Sequence, residues 1–369
     1  MKSYNHLFEI ALRDRIIHLS LLGASKGKRD RPQVARILEH KIKYIKRIKE
    51  WLLKGKFIPE NHIAAVINDG FIQKQRIIIK PYFYPEQIIQ HIVVNTLKPI
   101  FMKGMYIYSC GSIPDRGVHY GQKYLEKFIR NNKAEIKYVL KLDIHHFYQS
   151  INIDLLKNRF KEIIHDEKML ELIYYVLDSN KAILGDKIIQ EGLPIGFYTS
   201  QWFANWFLQP FDHFVKEELK AKCYVRYMDD IVIFGRNKKE LHKNLEKIRE
   251  YLNNIDLEVK SNYQIFRFDY IDKNGNRRGR PIDFMGFKFY RDKTTIRASI
   301  FLRAIRKARK MKKKENFSWY DACQLLSYMG WFKPTNTYGA FKKHIEPNVN
   351  IQACKKLVSK HFKKERKKE

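Results

Sequence analysis

The sequence predicts an α+β fold, on three observations. Apolar residues recur at helical spacing over the first 56 residues and again beyond Ser299. In the middle of the chain, short apolar runs come in pairs around tight turns, as antiparallel strands do. The 369 residues are 44% hydrophobic and 14% aromatic, enough to bury a sizeable core spread over two or three subdomains.

The N-terminal pattern is carried by Leu7, Ile10 and Ala11, then by Ile37, Ile42, Ile45, Ile48, Leu52 and Leu53, with the polar stretch Gly23–Pro32 between. Phe71–Lys80 alternates in part and stops at Pro81, a strand, and Gln87–Phe101 is an amphipathic helix. Gly111–Gly121 reads as a loop, either plain surface or, with Arg116 and Lys123, a phosphate contact; Tyr124–Arg130 resumes as helix. Tyr138–Asp143 is a compact strand, followed by one helix from Ile153 to Asp178. The next helix takes Thr199 or Ser200 as its N-cap and sends Trp202, Phe203, Trp206 and Phe207 into the core. Cys223–Tyr227 and Ile231–Phe234 form a hairpin with Met228 and Asp229 at its turn. A helix (Lys238–Leu252), a strand near Leu257–Lys260, the turn cluster Asn274–Pro281 and the hairpin Ile282–Tyr290 follow. Beyond Ser299 come base-studded helices, with Trp319, Tyr328, Trp331 and Phe332 as their own core.

Lysine and arginine number 72 against 39 aspartates and glutamates, a net charge of +33 that implies a polyanionic partner. Nucleic acid comes first and an anionic membrane surface second. The membrane reading lacks both a signal-peptide core and a run of about 20 apolar residues, so no membrane partner is expected. From Phe301 to Glu369 there are 19 basic residues against 5 acidic, a surplus of 14. A charge run is ordinarily a solvated helix face; a surplus gathered on one segment also suits contact with a polyanion. Cys110, Cys223, Cys323 and Cys354 are too scattered for a disulfide framework or a zinc motif, and read as buried, reduced thiols of a cytoplasmic protein.

In so basic a chain the acids stand out. Asp229 and Asp230 are adjacent at a hairpin turn between apolar strands, and Asp143 ends another strand. A turn aspartate alone is ordinary, but three carboxylates brought together on neighbouring strands repel one another unless cations neutralise them. Two Mg²⁺ ions roughly 3.5–4 Å apart would do so, activating a 3′-hydroxyl and stabilising a leaving pyrophosphate. His119, His145 and His146 lack metal-ligand spacing and read as exposed or backbone-contacting.

Tyr227-Met228-Asp229-Asp230 resembles the signature of reverse transcriptases, and other blocks follow in that family's order. Lys141-Leu142-Asp143 with Phe147-Tyr148 resembles motif A, and Gly192–Gln201 resembles motif B. Ile282–Phe287 resembles the primer-grip hairpin, and Lys74-Gln75-Arg76 with Pro81 and Gln90-His91 resembles the fingers block. The resemblance implies a right-hand polymerase: N-terminal helices and fingers over 1–134, a palm with an antiparallel sheet over 135–296, and a basic helical thumb over 297–369. It implies an RNA-directed DNA polymerase that takes Mg²⁺ (or Mn²⁺), template RNA, an RNA/DNA duplex and deoxynucleoside triphosphates.

The residue roles carried by that resemblance are these. Asp143, Asp229 and Asp230 would hold the metals, with the Ile144 carbonyl assisting. Tyr148 would be the steric gate against a 2′-hydroxyl, with Phe147 left to packing. Lys74 and Arg76, on one strand face, would cover the triphosphate or else be solvated charges. Gly192 and Gly196 would let the backbone approach the nucleotide, Gln201 would lie under the templating base, and Lys260 would protonate pyrophosphate. Phe284, Met285 and Gly286 would grip the primer. Arg303, Arg306, Lys307, Arg309 and Lys310 would hold duplex phosphates.

Many relatives read Ser-Pro where this chain reads Ser200-Gln201. With Leu193-Pro194-Ile195-Gly196 before it and Asn262–Phe266 later, the chain looks most like enzymes of diversity-generating retroelements, which copy RNA with errors at adenines beside a small helical accessory protein. Phage-defence enzymes that use a structured RNA are the alternative, in a bacterial or phage-encoded setting. The length is read as fingers, palm and thumb without ribonuclease H or integrase. A non-catalytic RNA-binding protein of this fold is disfavoured by the three aspartates and the gate tyrosine.

Overall fold

The computed structural model describes residues 3–58, 62–69, 74–185, 187–190, 192–314 and 316–366. In chain order the helices are α1 (Leu7–Ala11), α2 (Asp14–Ser25), α3 (Pro32–Glu39), α4 (Lys41–Lys54), α5 (Ile88–Met102), α6 (Val118–Asn131), α7 (Phe147–Ser150) and α8 (Ile153–Ile163). They continue as α9 (Glu167–Asp178), α10 (Tyr198–Phe207), α11 (Gln209–Glu217), α12 (Lys238–Asn253), α13 (Ala298–Lys312), α14 (Trp319–Phe332), α15 (Tyr338–His344) and α16 (Ile351–Arg366). The strands are β1 (His62–Asp69), β2 (Lys74–Lys80), β3 (Tyr138–Asp143), β4 (Lys181–Leu184), β5 (Lys187–Gln190), β6 (Tyr224–Tyr227) and β7 (Asp230–Gly235). Then come β8 (Gln264–Arg267), β9 (Tyr270–Ile271), β10 (Arg277–Arg278), β11 (Ile282–Phe284), β12 (Phe287–Phe289) and β13 (Thr294–Ile296). Among the described residues no helix is long and apolar enough to cross a membrane.

The chain divides into two compact units. The first joins Met1–Pro114, Leu142–Lys220 and Asn244–Tyr263. Its sheet has the order β2-β1-β4-β5, antiparallel except for the β1/β4 pair. Phe101 of α5 meets Phe160, Trp202, Phe203 and Trp206 with ring centroids 5.8–6.3 Å apart, so the aromatic run of α10 is core, as its spacing predicts. Arg159 lies over Trp206 at 4.0 Å and donates to the carbonyls of Trp206 and Phe207, closing the end of α10.

Two expectations fail here at the starts of helices. The single helix predicted over 153–178 is two, because the Asp166 side chain accepts from Met169 N at 3.1 Å and from Phe8 N at 2.8 Å, starting α9 afresh. Neither Thr199 nor Ser200 caps α10. Gln90 Oε1 accepts from Tyr198 N at 2.8 Å, and Ser200 Oγ donates to the Pro194 carbonyl at 2.7 Å. The strand expected near Leu257–Lys260 is a lone bridge, Val259 to Ile144.

The second unit joins Asp115–Lys141, Ala221–Lys243 and Gln264–Glu369. It holds the sheet β6-β7-β3-β8, in which β3 pairs antiparallel with β8 from Tyr138↔Arg267 to Lys141↔Gln264. The hairpin β11–β12 pairs on to β13, and α6 begins at Val118, inside the stretch expected to be loop. Phe332 and Phe341 are fully buried between the C-terminal helices, but Trp319, expected in that core, is 38% exposed. Cys110, Cys223 and Cys354 are buried free thiols; Cys323 is only half-buried.

Candidate active site

The first unit contains a cleft of about 680 Å³ in which residues from five chain segments meet. Arg76, Tyr148 and Gln201, all predicted to bind nucleotide, line it together with Lys28, Arg31, Lys80, Gln90, His91, Ile195 and Tyr198. Among the described residues four cations and no carboxylate face it, so it draws an anion. Burial, and then the neighbouring charge of Arg31, lower the Lys28 ammonium below its usual range. Lys28 Nζ is held by Gln87 Oε1 at 2.5 Å and the Ala24 carbonyl at 3.1 Å. Lys74 begins β2, but its side chain lies outside the described residues.

Gly192 packs on protein backbone and does not line the cleft, whereas Gly196, also packed on backbone, does line it. A Cβ at Gly192 would lie 2.5–2.7 Å from the backbone oxygens of Tyr148, Ile151 and Gln149. Gly192 N and Leu193 N donate to the Gln149 and Tyr148 carbonyls at 3.1 and 2.7 Å, clamping the α7 segment. Gly196 has φ +120, and a Cβ there would lie 2.2 Å from the Ile79 carbonyl, while Ile79 N donates to the Ile195 carbonyl at 2.9 Å. Gly196→Ala therefore costs more than the roughly 1–2 kcal/mol of a positive-φ alanine alone. A denaturant melt should show it well below Gly275→Ala, where φ is +78 but nothing lies within 4 Å.

Sequence reasoning gave no role to Tyr198. Its ring stacks on His91 with centroids 3.7 Å apart and planes at 8°, and a Cβ at Gly23 would touch the other partner, His91 Nδ1, at 2.9 Å. Burial, with Lys28 adding to it, pushes the His91 imidazole down to about 4 from 6.5. The unfolded chain takes that proton more readily, so the contribution to stability is full above pH 6.5 and drains as pH falls toward 4. Between pH 7.5 and 5 the loss is about 2 kcal/mol, and His91→Gln should flatten that part of the stability profile in parallel unfolding curves.

Asp143 ends β3 with its side chain one-third exposed, and Lys260 Nζ stands 3.8 Å from its Oδ2. The expected phosphate lysine thus sits beside an expected metal carboxylate and does not line the cleft. Lys260 N donates to the Asp143 carbonyl at 2.9 Å and His145 N to Glu258 at 2.8 Å; neither bond uses the carbonyl of Ile144. His145 and His146 are exposed, and Phe147 is buried behind Tyr148, as expected.

In the second unit Tyr227 pairs with Asp230, leaving Met228 and Asp229 as the turn. Met228 has φ +57, a left-handed conformation uncommon for its side chain. The fully buried Arg226 donates from Nη1 to its carbonyl at 3.0 Å and helps hold it there. Asp229 and Asp230 are half-buried.

Of the predicted primer grip, Phe284 is fully buried and Met285 nearly so, because Phe284, Phe287 and Phe289 fill the hairpin's core; Phe284 has no side-chain surface for a primer. A Cβ at Gly286, φ +86, would lie 2.6 Å from the Trp331 ring. Arg303, Arg306, Arg309 and Lys310 are exposed on α13, but Lys307 turns inward to Asp321 at 2.6 Å and is not a phosphate contact.

Among the described residues no three His, Cys, Asp or Glu side chains gather into a metal cage. Magnesium does not need one, since it binds one or two carboxylates and completes its shell with water and substrate phosphate. Asp143 with the Ile144 carbonyl, and the Asp229-Asp230 turn, offer hard oxygen donors of that kind.

Residues 69–289, more than half of the chain, match the family described as "Reverse transcriptase (RNA-dependent DNA polymerase)". No curated protein matches the sequence. Among solved structures, the telomerase of Candida tropicalis in complex with a TWJ fragment of telomeric RNA is 15% identical at a TM-score of 0.52, covering 82% of this chain and 53% of that one. The apo telomerase of the same organism is also 15% identical, covering 74% and 51% at a TM-score of 0.48. The chain spans about half the length of these telomerases, and the first of them shows likeness of fold alone.

Proposed function

The chain belongs to the reverse transcriptase family of RNA-directed DNA polymerases, with its α+β polymerase fold, and on that footing we propose that Asp143, Asp229 and Asp230 bind the catalytic metals and that the cleft lined by Arg76, Tyr148 and Gln201 takes the deoxynucleoside triphosphate. The observation that carries this is the cleft itself, where the described residues supply four cations and a tyrosine and no carboxylate. Strand register supports the shared metal role. Lys137 N, just before β3, donates to the carbonyl of Gly235, the last residue of β7, at 3.2 Å. β3 and β7 are neighbours in one sheet.

Bound Mg²⁺ would lower the pKa of the primer 3′-hydroxyl and stabilise the charge on the leaving pyrophosphate. Arg76 offers a fork of donors to the phosphates and Lys28, Arg31 and Lys80 add positive field. Tyr148, which lines the cleft, is the ring proposed to exclude a 2′-hydroxyl. Lys260, with its Nζ 3.8 Å from Asp143 Oδ2, is the proposed proton donor to the leaving pyrophosphate. Residues 1–134 serve as fingers, 135–296 as palm and 297–369 as thumb, the exposed bases of α13 holding the RNA/DNA duplex.

The finer reading is a diversity-generating retroelement enzyme, working in a bacterial cytoplasm with a structured RNA or a small helical accessory protein. Its support is that Ile195 and Gln201, in the stretch carrying that resemblance, both line the cleft. Extension of a primer on RNA in Mg²⁺ tests the polymerase assignment, and sequencing the product tests the finer one. Errors concentrated opposite template adenines are expected. An even, low error rate would favour a phage-defence enzyme, and no DNA on any primed RNA would overturn the site assignment.

A further inference from the structure

We propose that an exposed aromatic corner between α14 and α16 is a stacking platform for unpaired bases of an RNA, separate from the duplex-binding face of α13. Trp319 lies flat on His361, ring centroids 3.9 Å apart and planes at 8°, with Phe362 and Tyr320 edge-on at 6.4 and 6.1 Å. Large aromatic rings ordinarily leave water on folding, yet Trp319, Tyr320 and Phe362 are 38, 65 and 47% exposed. One face of Trp319 is covered by His361, so its exposure belongs to the other face and the rim, the surfaces a base would use.

The corner is also rigid. Ser318 and Asp321 form a capping box at the start of α14, and Lys307 and Lys314 both reach the Asp321 carboxylate, at 2.6 and 2.8 Å. These contacts hold the Asp321 carboxyl well below the usual carboxylate range. Trp319 is thus fixed before anything binds, which lowers the ordering cost of recognition.

Charge selects the occupant. The stretches 311–320 and 351–363 that meet here carry seven lysines against one acid, Glu315. Lys312, Lys313, Lys355, Lys356, Lys360 and Lys363 are exposed. Flat aromatic faces among lysines suit a single-stranded backbone with its bases splayed, where stacking is tolerant of sequence. A duplex, whose bases are already stacked, gains nothing from Trp319.

The test titrates the full chain, at fixed salt, into a fluorescent blunt RNA/DNA duplex and into the same duplex with a single-stranded RNA overhang. Trp319→Ala should weaken binding to the overhang probe about tenfold and leave the blunt probe unchanged, with Trp319→Phe retaining most of the affinity. Tyr320→Ala, at a more exposed site, should lose affinity in the same selective way and decides the matter if Trp319→Ala does not fold. Unchanged overhang binding in both alanine variants overturns the proposal and points to a protein partner for this surface. Equal weakening on both probes with a lowered melting temperature overturns it too, making Trp319 a structural residue.

Discussion

Asp229→Asn leaves a folded protein whose RNA-templated extension falls about a thousandfold or more. Asparagine keeps the shape of the side chain and removes the charge, so the change isolates what a carboxylate does for a metal. Metal-borne stabilisation of a phosphoryl-transfer transition state is worth several kcal/mol, each factor of ten in rate costing about 1.4. The turn is also held by groups other than that carboxylate. Its Tyr227–Asp230 pairing and the Arg226 bond to the Met228 carbonyl at 3.0 Å involve other groups, so the melting temperature should stay close to wild type. Single-turnover extension beside a thermal melt checks both halves. Activity within tenfold of wild type would remove Asp229 from the metal site.

Tyr148→Ala changes which sugar is accepted. The tyrosine's backbone carbonyl is bonded by Leu193 N at 2.7 Å, and Phe147 is buried behind it, so the ring is aimed by contacts that the substitution leaves in place. Removing the ring opens the cleft beside Gln201 and Pro194. Discrimination against ribonucleotides should drop by about a hundredfold, the scale of selectivity a shaped pocket supplies by bulk. Deoxynucleotide incorporation should change far less. Competition between labelled dNTP and rNTP in one reaction reads the ratio directly, and an unaltered ratio would strip Tyr148 of the gate role.

The parts of the fold that were legible in the sequence are those set by neighbours in the chain. The hairpin of β6 and β7 was visible because apolar runs flank two turn residues, and the end of β3 at Asp143 because a polar break follows it. The aromatic run of α10 announced its burial through helical spacing. What stayed hidden depends on partners far away in sequence. Gln90 caps α10 from 108 residues upstream, and Asp166 takes the amide of Phe8 across 158 residues.

The candidate site divides in the same way. Asp143, Asp229, Tyr148, Arg76 and Gln201 could be read from local blocks. Lys28, Arg31 and Lys80 could not, since they become one set of cations only when separate segments fold onto one cleft. Lys307 looked like its exposed neighbours until Asp321, fourteen residues on, turned it inward. Phe284 sat in a block associated with the primer, yet its alternation in β11 sends it to the core.

The central claim is that Asp143 and the Asp229-Asp230 turn, distant in sequence, hold the same ions. Iron(II) in place of Mg²⁺, activated with ascorbate and peroxide, cleaves the backbone near where it is bound, and the fragments can be mapped by mass spectrometry. The account predicts cuts near both Asp143 and Asp229, suppressed together by excess Mg²⁺ and lost together in Asp229→Asn. Cutting at one position alone, or a cut near Asp143 that survives Asp229→Asn unchanged, would contradict it.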